Sequence, residues 1–113
     1  MGKANVQAVV VQGFFDPYRG ILIDLASKYR LPYMSDNGEV TASGGLVSIA
    51  ANWSQLYERA AFYVDKILKG ASPSETPVEQ PTTFELIVNL KTAKLIGLTV
   101  SPSLLARADE VIE

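Results

Sequence analysis

The sequence predicts an α/β protein built on an open, mostly parallel sheet with flanking helices. Three observations carry that expectation. Val6–Val11 is a continuous, largely β-branched run, the signature of a strand buried on both faces of a parallel sheet. Segments of helical period alternate with such runs along the chain. The order is strand-helix three times and then strand-helix-helix, which right-handed crossovers fold into one sheet.

The elements follow in order. After the first strand at Val6–Val11, Asp16 is placed to cap a helix whose first position is Pro17. Tyr18, Ile21, Leu22, Leu25, Ala26 and Tyr29 recur at helical spacing, so Tyr18–Arg30 reads as an amphipathic helix. Pro32–Ser35 is a short strand, and "DNGEVTASGG" a turn with room for one helical turn. The third strand, Leu46–Ala50, leads to a helix over Ser54–Lys69. Asn52 and Gln55 open that helix in capping-box spacing, and Gly70 closes it. Leu56, Ala60, Tyr63, Val64, Ile67 and Leu68 form its buried stripe, with Asp65 and Lys69 paired on the wet face. "GASPSETPVEQPT" carries three of the six prolines and reads as a connection, with an edge strand at Pro77–Gln80. "FELIVNL" alternates as a half-buried strand, Leu90–Ile96 is a short helix stopped by Gly97, and Ser101-Pro102 starts a last helix that includes Leu104, Leu105, Ala108, Val111 and Ile112.

Composition narrows the chemistry. A chain of 113 residues fits one domain with its own core. Ten basic residues against 12 acidic ones give a net charge of -2, without the basic excess of a nucleic-acid surface. Cysteine and histidine are both absent, which removes thiolate and imidazole catalysis, disulfides and the common zinc sites. The apolar run after "MGKANVQ" is too short for a signal peptide or a membrane span. Met1–Lys3 reads as an added start, so that any native targeting segment has been cut away.

Candidate site residues gather at the carboxyl ends of the strands, the rim where open α/β sheets bind ligands. Phe14 and Phe15 follow the first strand, one free to enter the core while the other meets a ligand or a partner. Asp36 and Asn37 follow the second, where turn formation is the competing explanation. Asn52 and Ser54 follow the third, where capping competes. Gly44 and Gly45 precede a strand and lack a following Lys-Ser/Thr pair, so they do not make a phosphate loop. The acids nearest the rim, Asp16, Asp36 and Glu39, have no spacing that fixes a catalytic pair, and Ser35, Ser43 and Ser48 lie outside any Gly-x-Ser-x-Gly elbow. No catalytic residue, metal site or cofactor is expected. From the residues alone a stand-alone flavodoxin-like regulatory or interaction domain is the preferred reading, with a small cofactor-binding domain as an enzyme-class rival.

Four stretches in order, "RLPYM", "GGLVS", "RAAFYVDKILKGASP" and "PVEQPTTFELIVNLKTAKLIGLTVSPSLLARADEVI", resemble the C-terminal part of ABC-transporter substrate-binding proteins of the tryptophan/tyrosine type. The resemblance implies a type I periplasmic-binding-protein-like fold, in which two α/β lobes joined by hinge strands close over a small solute and deliver it to a membrane permease. The chain is similar to roughly the last third of such proteins, with a hinge crossing near residues 45–52. The helix at Ser54–Lys69 is then expected to pack with an absent lobe and, in the isolated chain, to drive homo-oligomer formation by self-pairing. The ligand contacts carried over are Phe14, Phe15, Asp36 and Asn52. Ala50-Ala51 stands where relatives commonly show a tyrosine-glycine pair. The implied function is non-enzymatic binding of a small solute, an aromatic amino acid by the family label, outside the cytoplasm in the periplasm or at the cell surface.

Overall fold

The computed structural model describes residues 5–113. They form a five-stranded sheet in the order β1 (Val9–Val11), β2 (Tyr33–Ser35), β3 (Val47–Ala51), β4 (Phe84–Asn89), β5 (Glu110–Ile112). The pairs β1–β2, β2–β3 and β4–β5 are parallel. Between β3 and β4 the direction reverses. The Asn89 N–H donates to the Leu46 carbonyl at 2.8 Å, and the Asn52 N–H donates to the Thr83 carbonyl at 3.2 Å, so one strand descends as the other climbs. The mostly parallel sheet expected from the sequence is present, but the β3-to-β4 passage is not a parallel crossover. The intervening segment forms a compact unit of its own, Ala51–Phe84, while the chain up to Ala50 together with Glu85–Glu113 forms the other.

In the larger unit, helix α1 (Arg19–Lys28) and the short helix α2 (Gly38–Ala42) connect β1 to β2 and β2 to β3. Ile23 and Ala26 of α1 and Val40 of α2 bury against Tyr33, with Val9 and Val11 packed alongside. Both helices therefore cover the same face of the sheet, as right-handed crossovers between consecutively placed strands require. On the opposite face Val10, Met34 and Val47 stand in register across three strands. Val10 is 73% exposed there. A second cluster joins Leu46 to Ala93 and Ile96 of α4 (Leu90–Ile96). Asn89 caps α4 through its side chain, and Gly97, at φ +76°, ends it in the left-handed region.

Three local expectations are corrected. Asp16 does not cap a helix. Gly13–Tyr18 is a 3-10 turn with Pro17 inside it, and α1 starts at Arg19 with no side-chain cap. The expected edge strand at Pro77–Gln80 lies outside every strand, because the prolines leave too few donors for a ladder. The last helix stops at Leu105 (α5, Pro102–Leu105), and the residues after it pair with β4 as β5. There Asp109 holds Leu86 from both sides, its N–H donating to the Leu86 carbonyl and its carboxylate accepting the Leu86 N–H, each at 2.8 Å.

The smaller unit is built on helix α3 (Trp53–Leu68), opened by Asn52, whose side chain accepts the Gln55 N–H at 2.9 Å. Its Asp65–Lys69 pair forms at 2.8 Å. No α3 residue is buried, which corrects the expectation of a buried stripe. Leu56 and Tyr63 are half-buried under the returning chain, while Trp53, Tyr57, Val64 and Leu68 stay exposed along one line. The returning segment is fastened by Arg59, which grips the Glu79 carboxylate with two donors, and by the Tyr63 hydroxyl, which donates to the Pro77 carbonyl at 3.2 Å. The guanidinium also lies 4.2 Å from the Phe62 ring centre, a stacked geometry that lysine does not reproduce.

The two edges of the sheet differ in character. Around β5 the sequence supplies Arg107, Asp109, Glu110 and Glu113, the charges that keep an edge strand in water. From Val6 to Gly13, across β1, there is no charged residue and no proline.

Candidate functional site

The rim of the larger unit is assembled at the carboxyl ends of β1 and β2. After β1 the chain turns through Gly13–Tyr18, and the Phe15 N–H closes the turn on the Gln12 carbonyl at 3.0 Å. The turn brings Asp16 against the end of β2, where its carboxylate accepts from the Asn37 side-chain amide. Asn37 is itself pinned. Its N–H donates to the Ser35 hydroxyl at 3.2 Å, and its Oδ1 accepts the Glu39 N–H at 3.0 Å, capping α2. Asp36 is exposed beside it. Gly13 lies between the two aspartates. A methyl group there would stand 3.3 Å from Asp36 Oδ1 and 3.6 Å from Asp16 Oδ2, so glycine lets both carboxylates converge on one spot.

The field of this pair reaches inward. Tyr33, 3% exposed, has its phenol pKa raised above the ordinary value by burial first and by the charges of Asp16 and Asp36 second. The rim is thus a negatively charged lip over a buried phenol. Next to it stand the aromatic rings. Phe14 is 84% exposed, Phe15 48%, and the two meet edge to face with centroids 5.4 Å apart. Phe15 also borders a groove of about 470 Å³ along Val9–Gln12 and Leu22. Neither phenylalanine is in the core, so the division expected between them, one inside and one outside, does not occur.

Of the four residues expected from the sequence, Phe14, Phe15 and Asp36 are therefore on this lip. Asn52 belongs to the smaller unit, capping α3 and bordering a cavity of about 280 Å³ with Arg59, Glu79, Gln80 and Thr83. There the Glu79 carboxyl is held down at about 2, by the Arg59 hydrogen bonds first and the Tyr63 hydroxyl second. No local pattern marks the meeting of Asp16 with Asn37 or of Arg59 with Glu79, since each pair is some twenty residues apart across a turn or a helix. Ser35 and Ser48 are buried, at 2% and 0% exposure, and are closed to a substrate. Gly45 serves packing: a methyl group on it would lie 3.0 Å from the Val40 carbonyl oxygen. Among the described residues no three acidic side chains gather as metal ligands, and no helix is long and apolar enough to cross a membrane.

Comparison with solved structures gives the same fold in proteins of low identity. A conserved domain protein from Vibrio cholerae O1 biovar El Tor is 21% identical with a TM-score of 0.88, over 93% of this chain and 36% of that one. The ABC domain from Streptococcus pneumoniae, solved in complex with L-Trp, is 24% identical with a TM-score of 0.87, over 98% and 39%. A substrate-binding protein with adhesive properties from Clostridium difficile, in its ligand-free open form, is 20% identical with a TM-score of 0.70, over 96% and 37%. The chain thus spans between 36% and 39% of the length of the structures it matches. Comparison with curated protein sequences gave no significant match. The sequence profile described as ABC transporter substrate binding protein matches residues 4–112, and the chain belongs to that family.

Proposed function

We propose that the chain serves in the solute-binding component of an ABC import system, taking up an amino acid with an aromatic side chain and handing it to a permease without chemical change. The observation that carries this reading is the lip itself. Two converging carboxylates provide a site for an ammonium group, and an exposed pair of phenylalanine rings beside them provides a surface for an aromatic side chain. The L-Trp held by the streptococcal structure is of the same chemical class. Phe14, Phe15 and Asp36 are the proposed contacts on the larger unit and Asn52 on the smaller.

In this reading the family-length protein is a two-lobe trap whose closure on the solute shifts an open population to a closed one. The hinge is proposed near residues 45–52. Support comes from the boundary of the compact units, which falls at Ala50–Ala51 and again at Phe84–Glu85, on two adjacent strands of opposite direction. Such proteins work outside the cytoplasm, and the proposed location is accordingly the periplasm or the outer cell surface.

The test is an NMR titration of the isotope-labelled chain with L-tryptophan, tryptamine and N-acetyl-tryptophan. The first two should shift the amides of residues 13–16 and 36–38, weakly because only part of a family-length protein is present. N-acetyl-tryptophan, which lacks the ammonium charge, should not. Equal shifts from all three, or none at these residues, would refute amine recognition at this lip.

A further inference from the structure

We propose that Asn37 sets the charge class of what the lip accepts, favouring a singly charged organic ammonium and excluding a divalent metal ion. This rests on the reading of the lip as an ammonium site and names the residue that selects for it. Two carboxylates facing one spot are also the beginning of a calcium or magnesium site. The side chains around the pair decide between the two kinds of cation.

The orientation of the Asn37 amide is fixed by its partners at both ends. Only the oxygen can accept the Glu39 N–H, at 3.0 Å, and only the nitrogen can donate to the Asp16 carboxylate. A further bond, from the Asn37 N–H to the Ser35 hydroxyl at 3.2 Å, ties its backbone to a residue only 2% exposed. The side chain therefore shows the lip a donor, while the one oxygen with which it could ligate a metal is occupied in capping α2.

A metal ion needs the opposite arrangement. Calcium takes about six to eight oxygen ligands. Here an N–H already occupies Asp16 Oδ2, and the next acid along, Glu39, is paired with Arg19 at 3.2 Å. An ammonium group is served by what remains. It brings three donors and needs no closed oxygen shell. Asp16 Oδ1 and both oxygens of Asp36 accept no hydrogen bond from the described residues, so acceptors are left for it. The neutral amide also fixes Asp16 without adding a third negative charge.

The experiment is a set of NMR titrations of the metal-free, isotope-labelled chain with calcium chloride and, separately, with tryptamine. They are read at the amides of residues 13–16 and 36–38 in the wild type, Asn37→Asp and Asn37→Ser. Asparagine, aspartate and serine all serve as helix caps, so α2 keeps its start in each. In the wild type, at equal concentration, tryptamine should shift these amides and calcium should not. Asn37→Asp puts an acceptor and a charge where the donor was, and should tighten calcium binding about tenfold or more. Asn37→Ser is too short to hold Asp16, and should weaken tryptamine about fivefold, the effect of one lost hydrogen bond, without admitting calcium. A merely structural Asn37 would change the stability of the variants and leave the ratio of the two affinities where it was. A wild-type lip that takes calcium as readily as tryptamine would overturn the proposal. So would a folded Asn37→Asp variant with unchanged calcium affinity, or an Asn37→Ser variant that binds tryptamine undiminished. Calcium gained by Asn37→Asp while tryptamine shifts nothing in any of the three proteins would uphold the exclusion of metal by Asn37 and refute the amine reading, so the two failures are distinct.

Discussion

Asn89 offers the sharpest test of how the larger unit is held together. It is 3% exposed, and both ends of its amide are used. Nδ2 donates to the Thr41 carbonyl of α2 at 2.9 Å, and Oδ1 accepts the Thr92 N–H at 3.1 Å, capping α4. Asn89→Ala removes a cap, which costs about 1 kcal/mol. It also takes one donor from a buried carbonyl, at about 1–3 kcal/mol, with the lower end expected because the Gly44 N–H still reaches Thr41 at 3.2 Å. The total is about 2–3 kcal/mol, and at this chain length that lowers the melting temperature by about 10 °C. Asn89→Ser keeps an acceptor for Thr92 but loses the reach to Thr41, so about half the loss should return. Far-UV circular dichroism in urea, at fixed protein concentration, measures all three proteins. A loss below about 0.5 kcal/mol for Asn89→Ala, or equal losses for Ala and Ser, would refute the two-bond account.

The remaining predictions concern backbone space, acid and charge. Gly45→Ala should destabilise by about 1–3 kcal/mol, because its new methyl meets the fixed backbone of Val40 and Thr41. Gly20→Ala, in α1 with nothing near its new methyl, should stabilise by about 0.5–1 kcal/mol, and thermal melts of the pair give the two signs. Glu79 binds its proton less readily when folded than when unfolded. Its contribution is therefore full above about 4.5 and is lost as pH falls toward about 2. Acid titrations followed by Trp53 emission should show that loss in the wild type and not in Glu79→Gln. The effect should shrink in salt, because both partners are more than 40% exposed. Asp36→Asn should lower the Tyr33 phenol pKa part of the way to its ordinary value, since burial, the larger cause, remains. Tyrosinate absorbance against pH reads this among the five tyrosines.

The parts of the fold legible in the sequence are those that local physics decides. Asn52 and Gln55 announce the start of α3, Gly97 the end of α4, and the β-branched run at Val9–Val11 a strand, because capping, left-handed geometry and period are properties of neighbours. What failed depends on distant partners. "LLARADEVI" has the composition of a helix, yet pairing with β4 and the Asp109–Leu86 bonds pull its end into a strand. The direction reversal at β3 has no local signal at all. At the candidate site the strand ends could be located, so Phe14, Phe15 and Asp36 could be placed at the rim. The Asp16–Asn37 bond that shapes the lip could not, because it joins two turns that only the sheet brings together.

The buried phenol beneath the two rim carboxylates doubles as a gauge. A cation that settles between Asp16 and Asp36 cancels part of the field that holds the proton on Tyr33, so occupancy of the lip is written into the ionisation of a side chain the cation never touches.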